Sequence, residues 1–350
     1  MADVNVQDLT FGLDTFGSIP TDAEGHPLPH DQVIRDIVAE GRLADQVGID
    51  AFNVGEHHRR EFAISAPSLI QAALATTTEQ IKLGTAVTVL SSDDPIRVWE
   101  QTSTVNALSA GRAEVTLGRG SFTESFPLFG YDLADYERLF EEKLELFAAI
   151  RDAGPEGRVQ WDGTVRPSVD AVLYPPAATP FTSWVAVGGS PESVVRAAHH
   201  RFGLMLAIIG GDPLRFAPFV DLYHRALREL HPDEQLTLPV GTHSHGFIWE
   251  DDEEAISLVT PAAVRGRNAI GRERGWGTAT ADHIREEITH GAMYVGSPET
   301  VAQKIARTIR GMGVQRFVLK YDTGLSHEQT MHSIELYGTQ VIPRVRELLA

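Results

Sequence analysis

Glu56-His57-His58 ends the apolar run Phe52-Asn53-Val54-Gly55 and is followed by Arg59-Arg60. Imidazole titrates near neutral pH, so a histidine on a rigid strand end suits proton transfer. Adjacent side chains on a strand face opposite ways, so one histidine of the pair should aim into a site while the strand lasts. Glu56 is placed to fix an imidazole tautomer or to pair with Arg59 or Arg60. The plainer alternative is a rim histidine with satisfied hydrogen bonds.

A second constellation, Gly188-Gly189-Ser190-Pro191-Glu192, joins an apolar run to a helical pattern. Glycines let backbone N–H groups come close to a ligand. Ser190 can donate to a phosphate oxygen, and a helix N-terminus carries free N–H groups and partial positive charge. The same residues also make an ideal helix cap, with Ser190 at N-cap and proline in the first turn. The copy at Gly296-Ser297-Pro298-Glu299 reads as a cap alone. Arg119, within Gly118-Arg119-Gly120-Ser121, ends the preceding strand. From there it can reach one strand over and pair with a phosphate dianion; a surface ion pair is the alternative. His243-Ser244-His245 puts two imidazoles on one strand face. With His57 they could hold a metal, or they could simply line a barrel top.

These groups need a frame. Apolar runs at 10–16, 50–55, 81–90, 112–117, 184–187, 204–209, 240–249 and 316–320 read as strands, separated by helical patterns. Eight such strands predict an α/β fold, a (β/α)8 TIM barrel over residues 1–350 as one domain, with its site at the C-terminal strand ends. The run 81–90 is continuous, as a parallel strand covered on both faces requires. Asp31 and Gly48 read as the caps of the first helix. Residues 153–182 read as an insertion covering the barrel, with a hairpin at 159–165 turning on Asp162-Gly163. Residues 251–296 form a second insertion, in which 265–294 reads as a long mobile excursion. Long pieces after strands four and seven stand on the catalytic face.

Composition bounds the function. The chain has 350 residues, 42% hydrophobic and 22% charged, and a formal charge of −18 from 48 acids against 30 bases. Such acidity disfavours nucleic acid and anionic membranes while allowing a local basic pocket. There is no cysteine, so disulfides, thiolate catalysis and Cys–zinc sites are excluded. Neither a signal peptide nor a membrane span is visible, and a cytoplasmic location is expected.

Several stretches together resemble the bacterial-luciferase-like flavin monooxygenase family. They are Phe52–His58, Leu83–Leu90, Asp94–Gln101, Leu108–Ser121, Val185–Ser193 and Tyr294–Ile305, in order over most of the chain. The resemblance implies a barrel that takes reduced FMN as co-substrate and O2, with a separate NAD(P)H:flavin reductase and a homodimeric state. His57 matches the histidine beside the flavin that assists proton transfer. Arg119 matches the arginine that meets the FMN phosphate, and Ser190 the serine next to it. Gly120, Ser121, Gly188 and Gly189 belong to the same expected cofactor pocket. Ala86-Val87 falls where family members often carry a non-proline cis peptide behind the flavin ring.

Two departures matter. Luciferases proper carry a reactive cysteine where this chain has Gly118, and a tryptophan where it has Ile208-Ile209. Light emission is therefore not expected. The Glu-His-His signature also points away from the deazaflavin-using branch. The reading is a monooxygenase acting on a small, largely apolar substrate, with Glu56, Phe122, Phe126 and His243 facing it. Phe122, Phe126 and Phe129 would make the mouth aromatic, although ordinary packing on the rim explains them equally well. The alternatives are an FMN-binding protein without turnover and a metal-dependent barrel hydrolase built on His57, His243 and His245.

Overall fold

The computed structural model describes residues 5–22, 24–120, 122–154, 157–275 and 277–350. In chain order the elements are β1 (Thr10–Thr15), α1 (His30–Gln46), β2 (Ala51–Val54), α2 (Pro67–Ala75), β3 (Lys82–Thr85), β4 (Thr88–Val89), α3 (Pro95–Leu108) and β5 (Glu114–Gly118). Then come α4 (Ser125–Leu128), α5 (Tyr136–Ala153), β6 (Arg158–Trp161), β7 (Val169–Val172), β8 (Thr182–Val187), α6 (Pro191–His199), β9 (Gly203–Ala207) and α7 (Ala217–Leu230). The last are β10 (Val240–Ile248), α8 (Asp252–Arg274), α9 (Ala281–Thr289), β11 (Tyr294–Gly296), α10 (Pro298–Met312), β12 (Arg316–Lys320), α11 (His327–Leu336) and α12 (Ile342–Leu349).

The parallel ring runs β3-β2-β1-β12-β10-β9-β8-β5-β4. It closes because β3 and β4 are one barrel strand in two pieces: Leu83 bridges Ala113, and β4 pairs with β5. This is the predicted eight-stranded α/β barrel. The expected unbroken strand at 81–90 is interrupted at Ala86-Val87, whose peptide is cis. The strands are buried on both faces, as helices covering a parallel sheet require. Phe11, Phe52 and Phe317 are fully enclosed, and each contributes roughly 2–3 kcal/mol of hydrophobic burial. At the N-terminal end the barrel is plugged by charge. Arg316 pairs with Glu114, which also meets Lys82 at 3.2 Å and the Trp184 indole at 3.3 Å. Burial alone would raise the Glu114 carboxyl, but Arg316 and then Lys82 hold it below the usual range.

Three expectations change in detail. Helix α1 has Pro29 at its N-cap, and Asp31 sits in the first turn paired with Arg35 at 2.9 Å; Gly48, with φ of 79°, follows the C-cap. The insertion hairpin exists as β6 against β7, but Trp161 pairs with Val169, so residues 162–168 form the connection and Asp162-Gly163 is not a two-residue turn. It packs on α5 and on the head of α3: Glu142 of α5 accepts from Val165 N at 2.7 Å, and Arg166 reaches Asp94, 2.8 Å away.

The predicted excursion at 265–294 is mostly helix. Asp251 caps α8 by accepting from Glu253 N and Glu254 N, and Gly275 ends it in the left-handed region at φ 67°. The Asn268 side chain then clasps Ala279 through both N–H and C=O, folding the chain back toward α9. Among the described residues no helix is long and apolar enough to cross a membrane.

Candidate active site

The C-terminal strand ends form a mouth, and His57 lies just past β2. Its Nδ1 is 3.1 Å from Glu124 Oε1, on the segment after β5. The ring is packed by Phe16, Phe62 and Phe122, each with a centroid 4.6 Å away. A carboxylate only accepts, so Nδ1 donates to Glu124 and Nε2 keeps its lone pair. Burial lowers the imidazole, and the Glu124 bond only partly opposes this. Burial would raise Glu124, but its bond from His57 and its backbone contacts bring it below the usual range. The pair is a neutral imidazole on a carboxylate. His58 lies edge-on to Phe129 at 5.0 Å; both histidines follow the end of β2 at Val54, where strand alternation no longer applies.

Glu56 does not pair with the arginines or orient His57. Its Oε1 accepts from Val89 N at 2.9 Å, holding the strand just beyond the cis peptide. Burial pushes its carboxyl up to about 7; the Val89 N–H opposes this, while Asp93 and Glu124 add repulsion. Gly55 allows the same close approach, because a Cβ there would lie 2.4 Å from the Ala86 carbonyl oxygen. At Gly118 a Cβ would meet Val87 Cγ2 at 2.6 Å, so the valine occupies the space of any side chain at that position.

On the far wall, Arg119 does reach one strand over. Its guanidinium pairs with Glu137 and lies 3.5 Å from Ser193 Oγ in the first turn of α6. Arg196 reaches the same hydroxyl at 3.4 Å. Ser190 is the N-cap of α6 and accepts from Ser193 N at 3.3 Å, so the capping reading holds. Gly189 adopts φ of 118°, which favours glycine, and a Cβ on Gly188 would meet nothing within 4 Å. Arg119 and Arg196 thus meet on the Ser193 hydroxyl at the head of α6, each also paired with a glutamate, Glu137 and Glu141, while Ser190 Oγ donates to Glu192 Oε2 at 2.8 Å. In the second copy the N-cap backbone itself is taken: Ser297 N and Thr300 Oγ1 bond Asp252 at 2.6 and 2.9 Å. Gly120, at φ 80°, accepts from Tyr136 Oη at 2.8 Å. Ser121 lies outside the described residues.

The family model described as luciferase-like monooxygenase matches residues 14–316. The chain belongs to the luciferase-like monooxygenase family. A luciferase-like relative, the alkanal monooxygenase alpha chain of Photobacterium leiognathi, is 23% identical over 340 residues, 91% of this chain and 95% of that protein. The crystal structure of monooxygenase RslO1 from Streptomyces bottropensis has a TM-score of 0.81 at 21% identity, covering 96% of this chain and 99% of that one. The oxygenating constituent of 3,6-diketocamphane monooxygenase from Pseudomonas putida, a type II Baeyer–Villiger monooxygenase solved with FMN, has a TM-score of 0.76 at 17% identity, covering 96% and 98%.

Within this luciferase-like barrel, some expected site residues do not meet. Phe126 is fully enclosed and stacked on Tyr136 at 5.4 Å, so it anchors its loop rather than lining the mouth. Phe122 does close on His57. His243 bonds Asp14 and faces His245 with ring centroids 6.4 Å apart. Among the described residues no group of three or more His, Asp or Glu could hold a metal ion, so the hydrolase reading lacks its ligand set.

Two groups escaped the sequence reading. Glu124 lies 67 positions from His57 and carries no local signal. Asp14 had one: a carboxylate inside an apolar strand, matched by Lys320 inside another. Lys320 pairs with Asp322 and lies 3.1 Å from the centre of the Phe16 ring. Burial would raise Asp322, but Lys320 lowers it further, aided by Phe16 N–H and Thr15.

Proposed function

We propose that the protein is a flavin-dependent monooxygenase that uses reduced FMN, delivered by a separate NAD(P)H:flavin reductase, and O2 to oxygenate a small, largely apolar organic molecule. The observation that carries this reading is the convergence of Arg119, Ser190, Ser193 and Arg196 on the open N-terminus of α6. That donor set fits a phosphate dianion, and FMN ends in one. Arg119 and Arg196 would exchange their Glu137 and Glu141 contacts, and Ser190 its Glu192 contact, for the phosphate, and the Gly188-Gly189 backbone would complete the cradle.

Reduced flavin, when bound, supplies the electrons that activate O2. The remaining roles belong to the chain. Val87 and the Ala86 backbone, brought close to Gly118 and Gly55, form a wall for a flat ring. His57, held by Glu124, moves a proton at Nε2. Phe16, Phe62 and Phe122 keep water from that imidazole and give the site its apolar character. The test is a titration with FMN, oxidised and reduced, of the wild type and of Arg119→Ala, with inorganic phosphate as competitor. Binding that phosphate weakens and the substitution impairs supports the cradle; FMN affinity indifferent to both contradicts it.

A further inference from the structure

His243 and Asp14 meet across the barrel interior from β10 and β1, with β12 between them. Asp14 and His245 both stand in register with Lys320, so these groups share one layer of the barrel. Asp14 Oδ2 bonds His243 Nδ1. The Asp14 side chain is 1% exposed and that of His243 is 12%. The carboxylate is thus sealed behind the imidazole, and the imidazole faces the opening. Because the carboxylate accepts, Nδ1 carries the proton and Nε2 presents a lone pair outward.

The surrounding charges sharpen the point. Lys320 contacts Asp322 and lies 3.8 Å from Asp14 Oδ1, which has no hydrogen-bond partner. The Lys320 ammonium thus lies between Asp322 and Asp14, closer to Asp322. His245, on the same strand, is pushed down to about 3 by its crowded surroundings, then by Lys320 and His243. On the other flank β9 brings Ala207 into register with His243, followed by Ile208, and neither titrates.

We propose that Asp14 and His243 form a second proton-transfer pair in the mouth, in which His243 meets an oxygen of the substrate through Nε2 and Asp14 positions it. The reaction served rests on the monooxygenase reading; the geometry does not. The pair suits a substrate with a hydroxyl or carbonyl oxygen at its reacting end. Nε2 takes the proton of a hydroxyl, or, once protonated, gives it to a carbonyl oxygen that gains negative charge. The proton leaves to product or solvent when the site empties, and the imidazole is restored.

The test uses the full flavin-free chain and diethyl pyrocarbonate, which acylates an accessible imidazole lone pair, read residue by residue by mass spectrometry. His243 is expected to be acylated in the folded wild type, and Asp14→Asn to slow it by about tenfold, the lower end of what loss of an orienting partner costs a metal-bound histidine. Asp14→Ala serves as the second variant, and cooperative thermal unfolding confirms the fold of each. An unreactive His243 in the folded wild type, or the wild-type rate in both Asp14 variants, overturns the proposal. His243→Gln should leave FMN affinity unchanged and lower kcat more than it raises KM on any aldehyde or ketone probe the wild type oxidises; an unaltered kcat also overturns it. Failure of the wild type to bind FMN would remove the monooxygenase reading and leave the acylation result standing.

Discussion

His57 Nδ1 lies 3.1 Å from Glu124 Oε1, joining the end of the second barrel strand to the segment after the next but one. A carboxylate that fixes one ring nitrogen leaves the other in a defined state and direction. His57→Ala should therefore lower turnover by roughly 10²–10⁴-fold, the usual range for a positioned acid–base group. Glu124→Gln should lower it by about 10–100-fold, as an orienting partner does, with FMN affinity unchanged. The two losses should not add in the double variant, because both act through one imidazole. Steady-state kinetics beside FMN titrations check this; additive losses would separate the residues.

Glu56 gives a pH dependence of stability. Its folded-state carboxyl is raised from 4.5 to about 7, so the native state binds more protons than the unfolded chain between those values. The stabilisation is complete below the unfolded pKa and is lost as pH rises through about 7. Glu56→Gln should keep the Val89 contact, flatten the decline across that window, and raise stability above it by on the order of 2–3 kcal/mol. Chemical denaturation at closely spaced pH values measures it. His245 acts oppositely: lowered from 6.5 to about 3, it costs stability as pH falls through that range.

The barrel and the meeting of Arg119 with the head of α6 were legible in the sequence because both rest on local patterns. Strand periodicity and capping glycines place Arg119 and Ser190 on neighbouring strand ends, and the structure finds them there. What stayed hidden depends on contacts between distant residues. Glu124 reaches His57 only through the fold, and Phe126 could not be told from Phe122 until their loop was placed. The acidic start of α8 at Asp251 was legible, but its second half hid behind Gly266 and the arginine content, and its C-terminal cap Gly275 sits 24 residues on, beyond any short window. Asp14 and Lys320 were visible as charges in apolar strands, but their meaning required His243 and Asp322.

Arg119 is partly exposed, and its present partner is a surface glutamate. Arg119→Ala should leave the fold intact and weaken FMN by roughly 10–100-fold, as loss of one charge-assisted phosphate contact does. Glu137→Gln, which releases the guanidinium, should leave FMN binding equal or tighter. Fluorescence titration of FMN distinguishes these outcomes.

The resemblance aligns Gly118 with a cysteine of luciferases, and Val87 fills its side-chain space at 2.6 Å. Gly118→Cys should therefore destabilise the protein by about 1–3 kcal/mol through overpacking and should not confer light emission. Adding Val87→Ala should recover part of the loss, since the clash is with that side chain. Thermal unfolding of the single and double variants measures the coupling.

The most direct test of the central claim is oxygen labelling. The protein is titrated anaerobically with reduced FMN, then mixed with ¹⁸O₂ and a panel of aldehyde, ketone and thioether probes. The monooxygenase account predicts saturable binding of reduced FMN and a product carrying one labelled oxygen atom, with His57→Ala binding FMN but forming little product. No binding of reduced FMN, or binding with every labelled atom recovered as peroxide across the panel, would contradict it.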